Sequence, residues 1–302
     1  SLVTVTPALA GPFDLGTIVV RVALHVEPET AQIHAVSDPI PDVFGGVKLD
    51  LRSIVLDLDR NQFTVNPTNC AAQATTGSIE GGGADPTNPA AFSSHPVDDP
   101  FAASGCGKLG FSPQLDVKLH GPTRRAKTPR LEAVLTAPKG QTNILRTAVT
   151  MPHSLFLDQS HLGTVCTRSR LASHTCPGAA VYGSAEAKSP LLKEKLKGKV
   201  FLVPSSHQLP DLLVDLRGQV EIYLRGVIST KRGGLKTVFN NTPDVPLSKL
   251  VLKLKGGKKS LLVNSADLCA KAQRAVVHLK GQNGRKVTHD RQKLSIASCK
   301  KR

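Results

Sequence analysis

Between Met151 and Cys166 the chain places Ser154, Asp158, Ser160 and His161 within a few residues of one another. A serine, a histidine and an aspartate form a hydrolase triad when folding brings them into hydrogen-bond reach. Ser154, His161 and Asp158 are therefore the residues on which nucleophilic hydrolysis would rest. The usual supports are missing, since neither Gly-x-Ser-x-Gly nor His-Glu-x-x-His occurs. Triads also converge from distant segments, so local clustering weighs little. A polar loop leading to a helix capped by Asp158 or Ser160 explains the same residues. The expectation is a protein without enzymatic activity.

Two kinds of charge could bind ions. Asp38, Asp42, Asp57 and Asp59 lie near one another in sequence, with Asp98-Asp99 further on. Calcium wants several such oxygen ligands, but the same aspartates read better as a solvated strand face, and no cofactor is expected. The basic residues are more numerous. Lys253, Lys255, Lys258, Lys259, Lys231 and Arg232 are candidate anion-binding residues, flanked by Lys193, Lys195, Lys197, Lys199 and the block Arg124-Arg125-Ala126-Lys127. Such charge attracts anionic cell-wall polymers, nucleic acid or anionic lipid in a salt-dependent way. Specific reading of bases or sugars is disfavoured, because stacking platforms need aromatics and the chain has no Trp and two Tyr.

The charge is divided along the chain. Residues 1–118 hold 6 basic and 13 acidic side chains, a net of −7; residues 119–302 hold 33 and 10, a net of +23. Opposite halves of this kind could also dock head-to-tail between copies of the chain. No apolar run reaches the roughly 18 residues of a membrane span.

The elements that must position these groups read as β. Val, Leu, Ile and Ala dominate the apolar residues, and 21 Pro and 25 Gly are spread along the 302 residues. Strand-like alternation occurs at 114–119, 131–135, 144–150, 199–204, 219–228 and 275–279. Residues 75–103 read as a long loop, and 160–173 as the one short helix. Six cysteines fall into three sequence-local pairs, Cys70 with Cys106, Cys166 with Cys176 and Cys269 with Cys299. Fifteen connectivities are open to six cysteines; three local disulfides fit best and imply an oxidising compartment.

An internal duplication is also expected. Pro41-Asp42-Val43, Ile54–Asp59, Phe63–Asn66 and Cys70 run parallel to Pro243-Asp244-Val245, Leu250–Lys255, Leu261–Asn264 and Cys269. Each copy reads as a hairpin with an inward aliphatic stripe, Ile54, Leu56 and Leu58 in one, Leu250, Leu252 and Leu254 in the other. The expected fold is all-β: two β-sandwich-like units, 1–122 and 198–302, joined by a mixed segment, 123–197, that carries the short helix.

The motifs Gly11-Pro12-Phe13-Asp14-Leu15-Gly16-Thr17, Asn66-Pro67-Thr68-Asn69-Cys70, Cys176-Pro177, Ser189-Pro190-Leu191-Leu192 and Lys197-Gly198-Lys199-Val200 resemble those of large secreted repeat proteins of unknown function from actinobacteria. The resemblance covers most of the chain. It implies export and brings no active site. The resulting expectation is a non-catalytic, extracellular or cell-wall-associated protein with a structural or adhesive role, with polymer binding through the basic half and hydrolysis as alternatives.

Overall fold

The computed structural model describes residues 1–49, 53–57, 65–81, 88–231 and 234–299. The N-terminal part holds β1 (Leu2–Ala10), β2 (Phe13–Val26), β3 (Ile33–Ser37), β4 (Val43–Phe44), β5 (Val47–Lys48), β6 (Gln73–Gly81) and β7 (Ser93–Phe101). The rest holds β8 (Gln114–His120), β9 (Arg130–Thr136), β10 (Ile144–Thr150), β11 (Leu155–Leu157), α1 (Arg168–Ala172), β12 (Val181–Lys188), β13 (Leu196–Val203) and β14 (Asp211–Arg217). It continues with β15 (Glu221–Lys231), β16 (Gly234–Phe239), β17 (Lys249–Leu254), β18 (Leu262–Asn264), β19 (Arg274–Gly281) and β20 (Lys286–Ile296).

The chain is all-β, as expected, but eleven of its described strands close into one barrel, and no pair of sandwiches forms among the described residues. The order round the barrel is β10-β16-β15-β14-β13-β12-β17-β9-β8-β20-β19. Eleven strands cannot alternate direction all the way round a ring, so at least one neighbouring pair must be parallel. That pair is β8 with β20, through Val117–Leu119 and Leu294–Ile296; the other neighbours are antiparallel. The barrel thus joins a strand of the expected first unit to the last strand of the expected second one, and takes β9, β10 and β12 from the segment between them.

Period-two alternation fills the interior. On β8, Leu115, Val117 and Leu119 are buried while Gln114, Asp116 and Lys118 are exposed. Leu131 and Leu135 on β9, Ala275, Val277 and Leu279 on β19, and Leu254 with Leu250 and Leu252 on β17 join the same core. Each fully buried aliphatic side chain contributes roughly 1.5–3 kcal/mol relative to exposure. At the β19–β20 turn Gly284 takes φ 84°, as the Asn283-Gly284 pair demands. Aliphatics inside and charges outside are the reverse of a lipid-facing barrel. Among the described residues no helix is long and apolar enough to cross a membrane.

The N-terminal part forms small sheets outside the barrel: β1-β2-β3, β4-β5 and β6-β7. Among the described residues it is held to the barrel at Pro28 and at Thr68–Asn69. The Pro28 carbonyl accepts from the Tyr223 amide, while Val26 and Ala31 pack on the core. The Asp244 carboxylate accepts from the Thr68 amide and hydroxyl (2.8 and 2.6 Å), the Asn69 amide and side chain (3.1 and 2.9 Å), and the Asn143 side chain (2.8 Å). All three local disulfides are formed, Cys70–Cys106, Cys166–Cys176 and Cys269–Cys299.

Other sequence expectations need correction. Residues 75–103 are not a loop throughout, since β6 and β7 pair from Gln73↔Phe101 to Gly81↔Ser93; their small and polar composition gave no amphipathic signal. The helix is shorter than 160–173, and its cap is the Thr167 hydroxyl accepting from the Arg170 amide, not Asp158 or Ser160. Among the described residues the two repeat copies show no shared structure. Residues 54–57 carry no strand, and Ile54, Val55 and Leu56 are 58%, 89% and 55% exposed; Leu58, Asp59 and 60–64 lie outside the described residues. In the second copy β17 and β18 do not form a hairpin. Both edges of β17 are occupied by β12 and β9, so the returning strand pairs instead with β11.

Candidate anion-binding site

The basic residues of β9, β17, β12, β13 and β14 meet on the outside of the barrel because register places them opposite one another. One cross-strand row runs Lys118, Glu132, Lys253, Ser184, Lys199, Asp215. The next runs Val251, Glu186, Lys197, Arg217, Glu221, and Lys249 faces Lys188 beyond it. Neighbouring strands lie about 4.8 Å apart, so these side chains form one continuous field in which cations outnumber carboxylates. Lys195 donates to Glu186 at 2.5 Å. That hydrogen bond above all, with the charges of Lys195, Lys197 and Lys253, holds the Glu186 carboxyl below its ordinary value.

At one edge of this field the barrel wall is covered. Leu212, Val214 and Leu216 of β14 point into the barrel, so Asp211, Leu213 and Asp215 lie on the outer face, yet all of these are buried. The cover is the segment from Cys166 to Ala180, which packs Cys166 and Ala180, with Leu171 and Cys176, on Phe201, Val203 and Leu213. The Cys166–Cys176 disulfide closes this segment around α1.

Between the cover and the strands lies an open cleft of about 360 Å³. Phe201 and Cys176 give it an apolar wall, Lys197 and Lys199 stand along β13, and Asp215, Arg217 and His174 line the rest. Gly198 lets β14 approach closely here: a Cβ would lie 1.9 Å from the Asp215 carbonyl oxygen. The buried Asp215 carboxylate takes the Arg217 fork in both oxygens, from Nε at 2.8 Å and Nη2 at 2.6 Å. Asp215, through that hydrogen bond, raises the Arg217 pKa further. Glu221 lies 3.3 Å from Arg217 Nε and accepts from the Tyr223 hydroxyl at 2.9 Å. Burial first, then that bond, lift the Tyr223 phenol well above its ordinary value. His174 Nδ1 is 3.8 Å from Glu221. Asp211, equally buried, is matched by His207 at 2.8 Å and Arg225 at 3.3 Å.

The sequence candidates divide accordingly. Lys253 belongs to the field, 3.9 Å from Glu132. Lys255 and Lys259 are engaged with the Val181 and Ala179 carbonyls, at 2.9 and 2.5 Å, and Lys259 lies 5.4 Å from the Tyr182 ring centroid. Lys258 is exposed on the turn after β17. Lys231 ends β15, and Arg232 lies outside the described residues.

Ser154, His161 and Asp158 do not join in one hydrogen-bonded chain. The buried Ser154 hydroxyl donates to Gln273 at 2.5 Å. His161 Nδ1 faces Asp158 at 3.1 Å and the Ser260 carbonyl at 3.0 Å, and Asp158 accepts from Ser160. The acidic residues weighed for calcium do not converge either: among the described residues no three His, Cys, Asp or Glu side chains are grouped to hold a metal, and Asp59 lies outside them.

The sequence shows Lys197 and Lys199 as part of a basic cluster but does not show the cleft they line. The available signal was β14, where Asp211 and Asp215 interrupt an aliphatic run, Asp-Leu-Leu-Val-Asp-Leu-Arg. An outward Leu213 between two carboxylates implies a cover, and buried carboxylates imply partner cations. Comparison with protein-family models, curated proteins and solved structures finds no match for this chain.

Proposed function

We propose that this is an exported, non-catalytic protein with a structural or adhesive role, and that its barrel binds an anionic polymer on the outer face of β17, β12, β13 and β14. The observation that carries the reading is the register that gathers Lys253, Lys199, Lys197, Lys188 and Lys249 into one field. The three disulfides are consistent with an oxidising, extracellular setting. Charges on separate strands of a closed barrel are held at fixed spacing, so a flexible polyanion finds several cations at once without ordering the protein.

The test is retention on immobilised polyphosphate, polyglutamate and heparin between about 50 and 200 mM salt, where each neutralised anion adds to the salt dependence. Retention that falls with salt, and falls further in Lys197→Ala/Lys199→Ala/Lys253→Ala, supports the reading. Absence of retention at low salt, or equal retention by the triple variant, overturns it.

A further inference from the structure

We propose that the cleft beside α1 is a site for the phosphate group of an organic phosphate ester, an inference that rests on the anion-binding reading and names its chemistry. Three observations converge. The first is the set of donors and their directions. Lys197 and Lys199 rise from β13, Arg217 from β14 and His174 from the far side of α1. Donors from several sides suit an oxyanion with oxygens in several directions, whereas a planar carboxylate is best met by one guanidinium fork.

The second is that the fork is already occupied. Arg217 presents Nε and Nη2 to Asp215, and among the described residues its Nη1 has no partner. Its remaining N–H groups, on Nη1 and the second of Nη2, are left to donate to a ligand oxygen. A phosphate can take these together with the ammonium groups of Lys197 and Lys199, which bind it as point charges and match its higher charge better than that of a carboxylate. The third is room. A cleft of about 360 Å³ exceeds what a bare oxyanion fills, and its remaining wall, Phe201 and Cys176, is apolar. An organic group attached through the ester oxygen would lie there.

The ester could be a small free molecule or one link of a polymer. Titration of the full chain with glycerol 3-phosphate, with a poly(glycerol phosphate) chain and with glycerate as the carboxylate control separates these sources, read by backbone amide NMR shifts. The expected result is saturable shifts at Gly198, Lys199 and His174 with the phosphate compounds, and little response to glycerate. Stronger binding of the chain than of glycerol 3-phosphate identifies a polymer link as the ligand; equal binding identifies the free ester. Lys197→Ala/Lys199→Ala should weaken glycerol 3-phosphate by about tenfold, while Lys188→Ala/Lys249→Ala, on the same face outside the cleft, should leave it unchanged. All four lysines are exposed, and an unchanged thermal midpoint verifies the fold of each variant.

Shifts spread over the whole basic face without saturation, equal weakening by the two double variants, or equal binding of glycerate would overturn the cleft assignment. If retention on polyanions persists in such a case, the broader anion-binding reading stands and only the cleft assignment falls. If no polyanion is retained at low salt, the broader reading falls with it.

Discussion

Asp215→Asn should make the protein less stable and bind phosphate more tightly. Asp215 is 4% exposed, lies opposite Lys199 in the β13–β14 register and holds Arg217 through two hydrogen bonds. The amide keeps one acceptor oxygen but turns an NH2 toward a guanidinium N–H. A hydrogen bond to a charged group contributes about 1.5–3 kcal/mol. Arg217 is 41% exposed, so water replaces part of the loss and about 1–2 kcal/mol is expected. Binding moves the other way. An anion seated between Lys197 and Lys199 lies on the order of 7 Å from the Asp215 carboxylate, given one strand spacing and the reach of the side chains. At an effective dielectric of ~20 that repulsion is about 2.4 kcal/mol. Screening over a Debye length of ~8 Å reduces it to about 1 kcal/mol, or roughly fivefold in affinity. Urea unfolding gives the first quantity and glycerol 3-phosphate titration at matched salt the second. A native Asp215→Asn protein whose affinity is unchanged or weaker would show that the carboxylate does not oppose the ligand, and the electrostatic reasoning for the cleft would fail.

Two further outcomes follow from the same geometry. Asp244→Ala removes the acceptor shared by Thr68, Asn69 and Asn143; we expect a local loss of about 2–4 kcal/mol, seen as at least about 30-fold faster amide exchange at Thr68 and Asn69. Unchanged protection there would mean that the carboxylate is not what clasps this segment to the barrel. The raised pKa of Tyr223, caused first by burial and then by Glu221, favours the neutral phenol in the fold, so its contribution is intact below an unfolded-state pKa of about 10 and is lost as pH climbs above it. Urea midpoints measured across that range should therefore fall more steeply for the native sequence than for Tyr223→Phe, and parallel curves would refute the assignment.

What was legible in the sequence is the part written in period two. β8, β9, β17 and β19 each place an aliphatic at every second position on the inward face, with mostly polar residues between them, and that pattern needs no knowledge of the partner strand. The disulfides were legible because each joins cysteines 10 to 36 residues apart. Closure was not. The pairing of Val117 with Leu294 spans most of the barrel sequence, and either a sandwich or a barrel would present the same inward faces. The apparent repeat misled for a related reason: a local string such as Leu-Val-Leu-Lys-Leu-Lys fixes a strand but not its neighbours, and neighbours decided that β17 lies inside a sheet while residues 54–57 lie in none.

The cleft escaped sequence reading because it depends on a second layer. The outer face of an antiparallel barrel is ordinarily solvated, and its strands then read as alternating. Here the Cys166–Ala180 segment covers part of that face, so β14 is buried on both sides and its two aspartates must be neutralised where they stand. Arg217 does this for Asp215 and is thereby fixed at the rim of the cover, next to the position of Lys197 on the neighbouring strand. The lysines of β13 remain outside the cover and exposed. A cation pinned by a buried carboxylate, set beside exposed cations at the margin of an apolar patch, differs from a uniformly basic surface in one respect: it has a place for the uncharged part of a ligand. That difference is why the cleft should discriminate among anions where the rest of the face responds only to their charge.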